Sequence, residues 1–150
     1  MSKKYGEIRS FWAWFFFGIC TIGIGYAIYY YLNFIDLNTH FNRAGLHDRV
    51  PSTQVSAVLM AILCILLPGI GSLIAMYQKY SILHEHVKLS RGRRNIPDGI
   101  SIVLLNLFIS PLTLGILAVY FEWKWQDVMN EHILWHTHRS RRRRPPLRTR

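Results

Sequence analysis

An internal repeat of 46 residues constrains this chain more than any other feature of its sequence. Three kinds of residue recur at this spacing without gaps: a glycine, an aromatic residue and a histidine. They are Gly23, Gly69 and Gly115; Tyr31, Tyr77 and Trp123; and His40, His86 and His132. Such self-similarity indicates one supersecondary unit used three times. Residues 1–138 are therefore predicted to form a triplicated domain, with repeats at about 5–50, 51–96 and 97–138.

Each repeat contains a long stretch that lacks Asp, Glu, Lys and Arg. The stretches are residues 11–32, 55–77 and 100–121, in a chain whose formal net charge is +10. A helix needs about 20 apolar residues to cross a bilayer, whereas a helix that faces water keeps a polar face. The sequence therefore predicts an all-α integral membrane protein, located in a prokaryotic plasma membrane as a multi-pass protein.

A turn signal interrupts each apolar stretch near its repeated glycine. The breaks lie at residues 21–23, 67–69 and 111–115, where Gly stands beside or close to Pro or Thr. Pro and Gly are the strongest local breakers of regular structure, and Thr21 or Thr113 could cap the helix that follows. Each repeat is thus predicted to be either a helical hairpin that turns at the glycine or a single kinked transmembrane helix.

Charge placement and helix length point in opposite directions on this choice. Hairpins would place all 18 Lys and Arg on one side of the bilayer, as the positive-inside rule favours. Three spans would divide them into 8 and 10. However, the first arm of about 15 residues would be only about 22 Å long, which is short for a bilayer core. Both arrangements therefore remain open at the level of sequence.

The segment 15–38, FFFGICTIGIGYAIYYYLNFIDLN, resembles the prokaryotic membrane family known as domain of unknown function 4234. The resemblance lies in an apolar run, then Thr, Gly, a hydrophobic residue and Tyr in that order, aromatic residues a turn later, and a polar helix with Asn or Asp. Its residues here are Thr21, Gly23, Tyr26, Tyr30 and Asn38, and in the third repeat Thr113, Gly115, Tyr120, Trp123 and Asn130. The middle repeat departs from the pattern, because Leu67-Pro68 precedes its glycine. The resemblance implies a helical bilayer protein and no particular reaction.

The histidines are the candidates for chemistry. If the three repeats pack around a pseudo-threefold axis, His40, His86 and His132 would converge. Neutral imidazole is the commonest metal ligand, and zinc suits three histidines plus water. The alternative is that each ring packs at a helix end while its nitrogens face water. The sequence predicts no cofactor and keeps a metal at these three histidines as the alternative.

Aromatic and basic residues are segregated along the chain, which favours lipid over nucleic acid as a partner. Tyr31, Tyr77 and Trp123 are predicted to lie in an interfacial aromatic belt. The segment 139–150 contains seven Arg without apolar periodicity and is predicted to be a disordered basic tail. Its central residues, which are Arg141, Arg142, Arg143 and Arg144, are predicted to contact anionic lipid headgroups or a protein partner.

The apolar stretches carry no ionisable group of the kind that marks a transport pathway. No cluster of acid, base and nucleophile indicates an enzyme either. The chain is therefore predicted to be non-enzymatic, acting as a structural or accessory subunit of a membrane complex. Its expected partners are the lipid bilayer and other membrane proteins or copies of itself. The alternative function is an oligomeric, holin-like pore that permeabilises the membrane.

Overall fold

Six α-helices and one short 3₁₀ turn make up the structure, a computed structural model that describes residues 6–44, 55–89 and 96–142. The helices are α1 (Phe11–Cys20), α2 (Ile24–Ala44), α3 (Ala57–Leu66), α4 (Pro68–Leu89), α5 (Gly99–Phe108) and α6 (Ile116–Arg142), with the 3₁₀ turn at Pro111–Thr113. These three described ranges contain no β-strand. The prediction of an all-α fold is confirmed.

The first and third breaks share one turn geometry. Ile22 and Leu114, which are equivalent in the repeat, both adopt a φ of 51°, and the next residues, Gly23 and Gly115, have φ values of 91° and 83°. The N–H of Gly23 donates to the carbonyl of Gly18 over 2.8 Å. This is the bond of a Schellman motif, which needs a left-handed residue to end a helix.

The middle break differs because Pro68 stands at the position of Ile22 and Leu114. The proline ring fixes φ near −65°, so this residue cannot adopt the left-handed conformation of its counterparts. The chain bends at Leu67 instead, and Pro68 opens α4. Proline is well suited to the first helical position, where its missing N–H costs no hydrogen bond.

Side chains on either side of a break contact each other. The ring centroids of Phe11 and Tyr29, which are 18 residues apart in sequence, lie 6.3 Å apart. An uninterrupted helix would separate them by about 27 Å. Gly71 of α4 likewise packs directly against the backbone of Leu63 in α3. These contacts contradict the single kinked helix, because α1 folds back on α2 and α3 on α4.

The predicted multi-pass membrane protein is wrong. Within the described residues, no helix combines the length and apolarity that a bilayer crossing requires. The physical reason is that each break divides an apolar stretch between two helices. The helices α1, α3 and α5 have 10 residues each, or about 15 Å, and the longer helices α2, α4 and α6 turn polar in their second halves. The predicted transmembrane helices and the predicted multi-pass location in a plasma membrane are therefore wrong.

Each repeat also docks onto the second helix of the repeat before it. The side-chain amide of Asn38 in α2 donates to the carbonyl of Val55, just before α3, over 3.1 Å. Asn130 in α6, equivalent to Asn38, donates over 2.8 Å to the carbonyl of Arg9, equivalent to Val55. The third repeat thus binds the start of the first. This pairing of ends closes the three units into a ring.

The core lies between the long helices and is built in layers of repeat-equivalent residues. One layer consists of Leu37, Leu83 and Met129, and another of Phe41, Val87 and Ile133, all of them at most 6% exposed. Equivalent residues pack together because the three long helices share one register. This register positions the site described below.

Candidate functional site: a four-histidine cluster

The repeated histidines form one layer of this core. His40 of α2, His86 of α4 and His132 of α6 are 0%, 0% and 6% exposed. They are joined by His136, which lies one turn after His132 on α6 and is partly buried. The structure brings His40, His86 and His132 together, and His136 was not among the three predicted ligands. The spacing of four residues between His132 and His136 was the signal that could have identified it.

The geometry of the cluster brings four imidazoles within reach of one ion. The Nε2 atoms of His40 and His86 are 3.0 Å apart, and those of His132 and His136 are 3.1 Å apart. One ring nitrogen from each of the four residues lies within 4.8 Å of the others. Tetrahedral donors at 2.0–2.1 Å from zinc are about 3.3–3.4 Å apart. The observed distances between ring nitrogens, from 3.0 Å to at most 4.8 Å, therefore include the donor–donor distance that a tetrahedral zinc site requires.

Apolar side chains close off the surroundings of the cluster. The ring of Phe41 lies 4.6 Å from that of His86, and Trp135 stacks on His132 with a centroid distance of 5.8 Å and an interplanar angle of 17°. In the part of the chain that the structure describes, no Cys, Asp or Glu joins the four histidines. The donor set therefore consists of four imidazole nitrogens.

Burial keeps two of these imidazoles neutral. Burial, together with the neighbouring rings of His40, His132 and His136, lowers the pKa of His86 to about 2. The pKa of His132 falls to about 3, first from burial and then from His40 and His136. A metal ligand must be deprotonated, so both residues are already in the binding form at neutral pH.

Hydrogen bonding alone does not account for the arrangement of His86. Its Nε2 shares a hydrogen with His40, while its buried Nδ1 has no hydrogen-bond partner among the described residues. An unpaired buried polar atom costs about 1–3 kcal/mol. A buried nitrogen left unpaired in this way is accounted for if it contacts a bound ion.

The donor set limits the chemistry of the cluster. Imidazole suits zinc and the neighbouring transition metals, whereas calcium and magnesium prefer oxygen ligands. Four histidines complete the tetrahedral shell of zinc, and a structural site is closed in this way, whereas a catalytic site keeps one position open for water. The cluster therefore fits a structural metal better than a catalytic one, and it fits a four-ligand site better than the predicted three histidines plus water.

A second polar constellation lies two turns from the histidines, on the side of the breaks. Lys79 of α4, which is 0% exposed, forms an ion pair with Glu122 of α6. Its ammonium also lies 4.8 Å from the Tyr30 ring centroid and 4.6 Å from that of Trp125. Burial lowers the pKa of Lys79, and Glu122 partly offsets this effect. Aromatic faces and a carboxylate together stabilise a buried cation.

Sequence reasoning missed this ion pair because both residues lie just outside the uncharged stretches. The signal was the register: Lys79 precedes His86 by seven residues, so the two lie on one helix face. Asn33 and Trp125 precede His40 and His132 by the same interval, and both are buried. A search at this interval would have placed a lysine in the core.

The repeated glycines have two different environments. Gly23 and Gly115 hold left-handed backbone, which glycine adopts without steric cost. Gly69 lies at the middle break and not at a close crossing, since a Cβ there would meet no heavy atom within 4 Å. The close crossing occurs at Gly71, where a Cβ would collide with the Leu63 carbonyl, and at its equivalent Gly25, where it would lie 2.9 Å from the Gly18 Cα.

The remaining predicted site residues lie apart from the cluster. Tyr77 and Trp123 are 38% and 37% exposed, and Tyr31 is partly exposed, so the three aromatics are not core residues; the belt itself stays a prediction. The helix α6 extends to Arg142, and the side chains of the basic cluster, Arg141, Arg142, Arg143 and Arg144, lie outside the described residues.

Comparisons with family models, curated proteins and solved structures found no match. The resemblance of the first and third repeats to the membrane family therefore stays an untested prediction. Function has to be argued from the geometry of the site.

Proposed function

We propose that this chain is a non-enzymatic metal-binding protein, in which one zinc-type ion is held by His40, His86, His132 and His136. The observation that carries the proposal is that one nitrogen of each residue lies within 4.8 Å of the others, in an apolar layer of the core. Two neutral, buried rings and an unpaired nitrogen on His86 support it.

We further infer that the three repeats are three helical hairpins around a pseudo-threefold axis, and that the ion lies on this axis. Each long helix contributes one ligand from the same repeat position, and α6 adds a second. An ion at this point would be bound by all three units at once. Because the ligands come from all three units, the free energy of metal binding becomes folding free energy.

The proposal keeps the predicted role as an accessory subunit but drops the predicted membrane-spanning helices. The pore remains an untested alternative. Exposed apolar side chains support the expectation of a partner: Ile22, Leu112 and Leu114, at the breaks, are 96%, 81% and 93% exposed. Apolar surface of this kind marks interaction sites. A lipid bilayer, another protein and a second copy of the chain remain predicted partners.

Metal loading tests the proposal directly. Protein stripped with a chelator and titrated with Co²⁺ is expected to bind one equivalent and to develop the visible absorption of tetrahedral cobalt. Zn²⁺ should displace this signal, and Mg²⁺ should not, because imidazole is a poor ligand for hard cations.

Single histidine variants provide the matched comparison. His86→Ala should abolish the cobalt spectrum, whereas His138→Ala should leave it unchanged, since His138 is an exposed residue of α6 outside the cluster. The proposal is refuted if the two variants bind cobalt equally, or if the parent protein binds none while its helical circular dichroism is intact.

A further inference from the structure

A cavity of about 310 Å³ lies in the same core, at the end nearer the breaks. Its walls come from all three repeats and include Phe15, Tyr26, Cys64, Pro68 and Ala118. Its lining also includes Glu122, the partner of Lys79, and hydroxyl residues such as Ser72 and Tyr30. The size is at the lower end of the range for small-molecule sites, which is about 300–1,000 Å³.

The cavity has a cause in the sequence. Tyr26, Ser72 and Ala118 are equivalent in the repeat, and all three line the cavity. One large and two small side chains cannot fill a layer that three larger residues would fill. The unfilled layer opens to the surface, since most of the residues that line it are at least partly exposed, and a small molecule can therefore enter it.

Glu122 gives the cavity a polar group of defined character. Its Oε1 accepts a hydrogen bond from Tyr30 over 2.8 Å, and its other oxygen accepts from Lys79. Each carboxylate oxygen can accept a second bond. Lys79 does not line the cavity, so a bound molecule meets the acceptor of the ion pair and not its ammonium.

We propose that this cavity binds an amphiphile that has one alkyl chain and a hydrogen-bond-donating head, a primary ammonium or a hydroxyl group. The chain contacts Phe15, Tyr26 and Ala118, and the head donates to the Glu122 carboxylate. A carboxylate head is rejected, because it would bring a second anion against Glu122 with no hydrogen to share. The site is separate from the four histidines, and its occupancy does not depend on metal.

Cys64 provides a reporter, because its thiol lies on the cavity wall. Its pKa is raised to about 11, chiefly by burial, with Lys79 lowering it and Glu122 raising it. Alkylation is therefore measured at pH 9 with iodoacetamide. The parent for this experiment is Cys20→Ala, which removes the exposed second thiol. Octylamine is expected to slow alkylation of Cys64, and octanoate is expected to require at least about a tenfold higher concentration, the difference that one hydrogen bond to a charged group produces.

Filling the cavity supplies the matched variants. Ala118→Leu, added to the same parent, should abolish the heat of octylamine binding in calorimetry, whereas Ala13→Leu, which adds the same bulk on the exposed face of α1, should retain it. Equal protection of Cys64 by octanoate overturns the proposed head group. Absence of protection by either compound in the folded parent overturns the site, whatever the behaviour of the Leu variants.

Discussion

At the scale of single residues, Gly69 and Gly71 differ in whether the structure has room for a side chain. A Cβ on Gly71 would collide with the Leu63 backbone carbonyl, while a Cβ on Gly69 would meet nothing within 4 Å. Gly71→Ala is expected to lower the free energy of unfolding by about 1–3 kcal/mol, because backbone must move to admit the methyl group.

The neighbouring variant Gly69→Ala is the control. It should leave stability unchanged or raise it by up to about 1 kcal/mol, since alanine restricts the unfolded chain more than glycine does. Urea denaturation of both proteins measures the difference. Equal midpoints would show that α3 and α4 do not cross as closely as described.

The buried ion pair makes a second prediction at this scale. Lys79→Met leaves the Glu122 carboxylate, which is only 12% exposed, without its cation and should cost about 3–5 kcal/mol. The double variant Lys79→Met, Glu122→Met should recover most of this loss. The second repeat carries a methionine, Met76, at the position equivalent to Glu122, so a methionine side chain is compatible with this layer of the core. Chemical denaturation of the four proteins gives the coupling free energy, and additive losses would contradict the pairing.

At the scale of the elements, the turns between helices carry backbone strain that can be relieved. Ile22 adopts a φ of 51° and is 96% exposed, so its side chain contributes little packing. Ile22→Gly is expected to stabilise the protein by about 1 kcal/mol, because the left-handed conformation costs an L-residue about 1–2 kcal/mol.

Ile24→Gly, the same substitution two residues later, is expected to destabilise the protein. Ile24 is also exposed, at 60%, but it begins α2, where glycine lowers helix stability by up to about 1 kcal/mol. Thermal unfolding of Ile22→Gly and Ile24→Gly compares them. Destabilisation by both variants would contradict the turn geometry assigned to the first break.

At the scale of the whole molecule, metal binding should stabilise the fold. At a free zinc concentration of about 100 times Kd, the expected gain is about 2.7 kcal/mol, or a rise in Tm of about 5–10 °C for a chain of this size. The gain arises because ligands from α2, α4 and α6 come together only in the folded state.

Variants of the four histidines are expected to reduce the zinc-dependent rise in Tm to different extents. His136→Ala keeps one ligand from each long helix and should retain part of the rise in Tm, whereas His86→Ala removes α4 from the site and should abolish it. Differential scanning calorimetry with and without zinc measures both, with His138→Ala as the control. A zinc-dependent rise in His86→Ala equal to that of the parent would show that the ion binds elsewhere.

The sequence by itself determined the parts of the fold that depend on local chemistry and on the repeat. The left-handed backbone at Gly23 and Gly115 follows from glycine at these positions, and the Thr21 hydroxyl accepts the Gly25 N–H over 2.8 Å, as a helix cap should. The spacing of His40, His86 and His132 indicated that they would come together if the repeats pack around an axis, and the structure places them within reach of one another.

Only the tertiary structure decided what these elements form together. Hydropathy measures the length of an apolar run and not its path, so the sequence could not show that α1 folds back on α2 and leaves each run too short for a bilayer. For the same reason the burial of Lys79 was not predicted. An isolated lysine in a sequence is expected at the surface, whereas here Glu122, Tyr30 and Trp125 surround its ammonium group. Burial, which sets the cost of a charge and the pKa of a histidine, is a property of the packed helices and of no single segment.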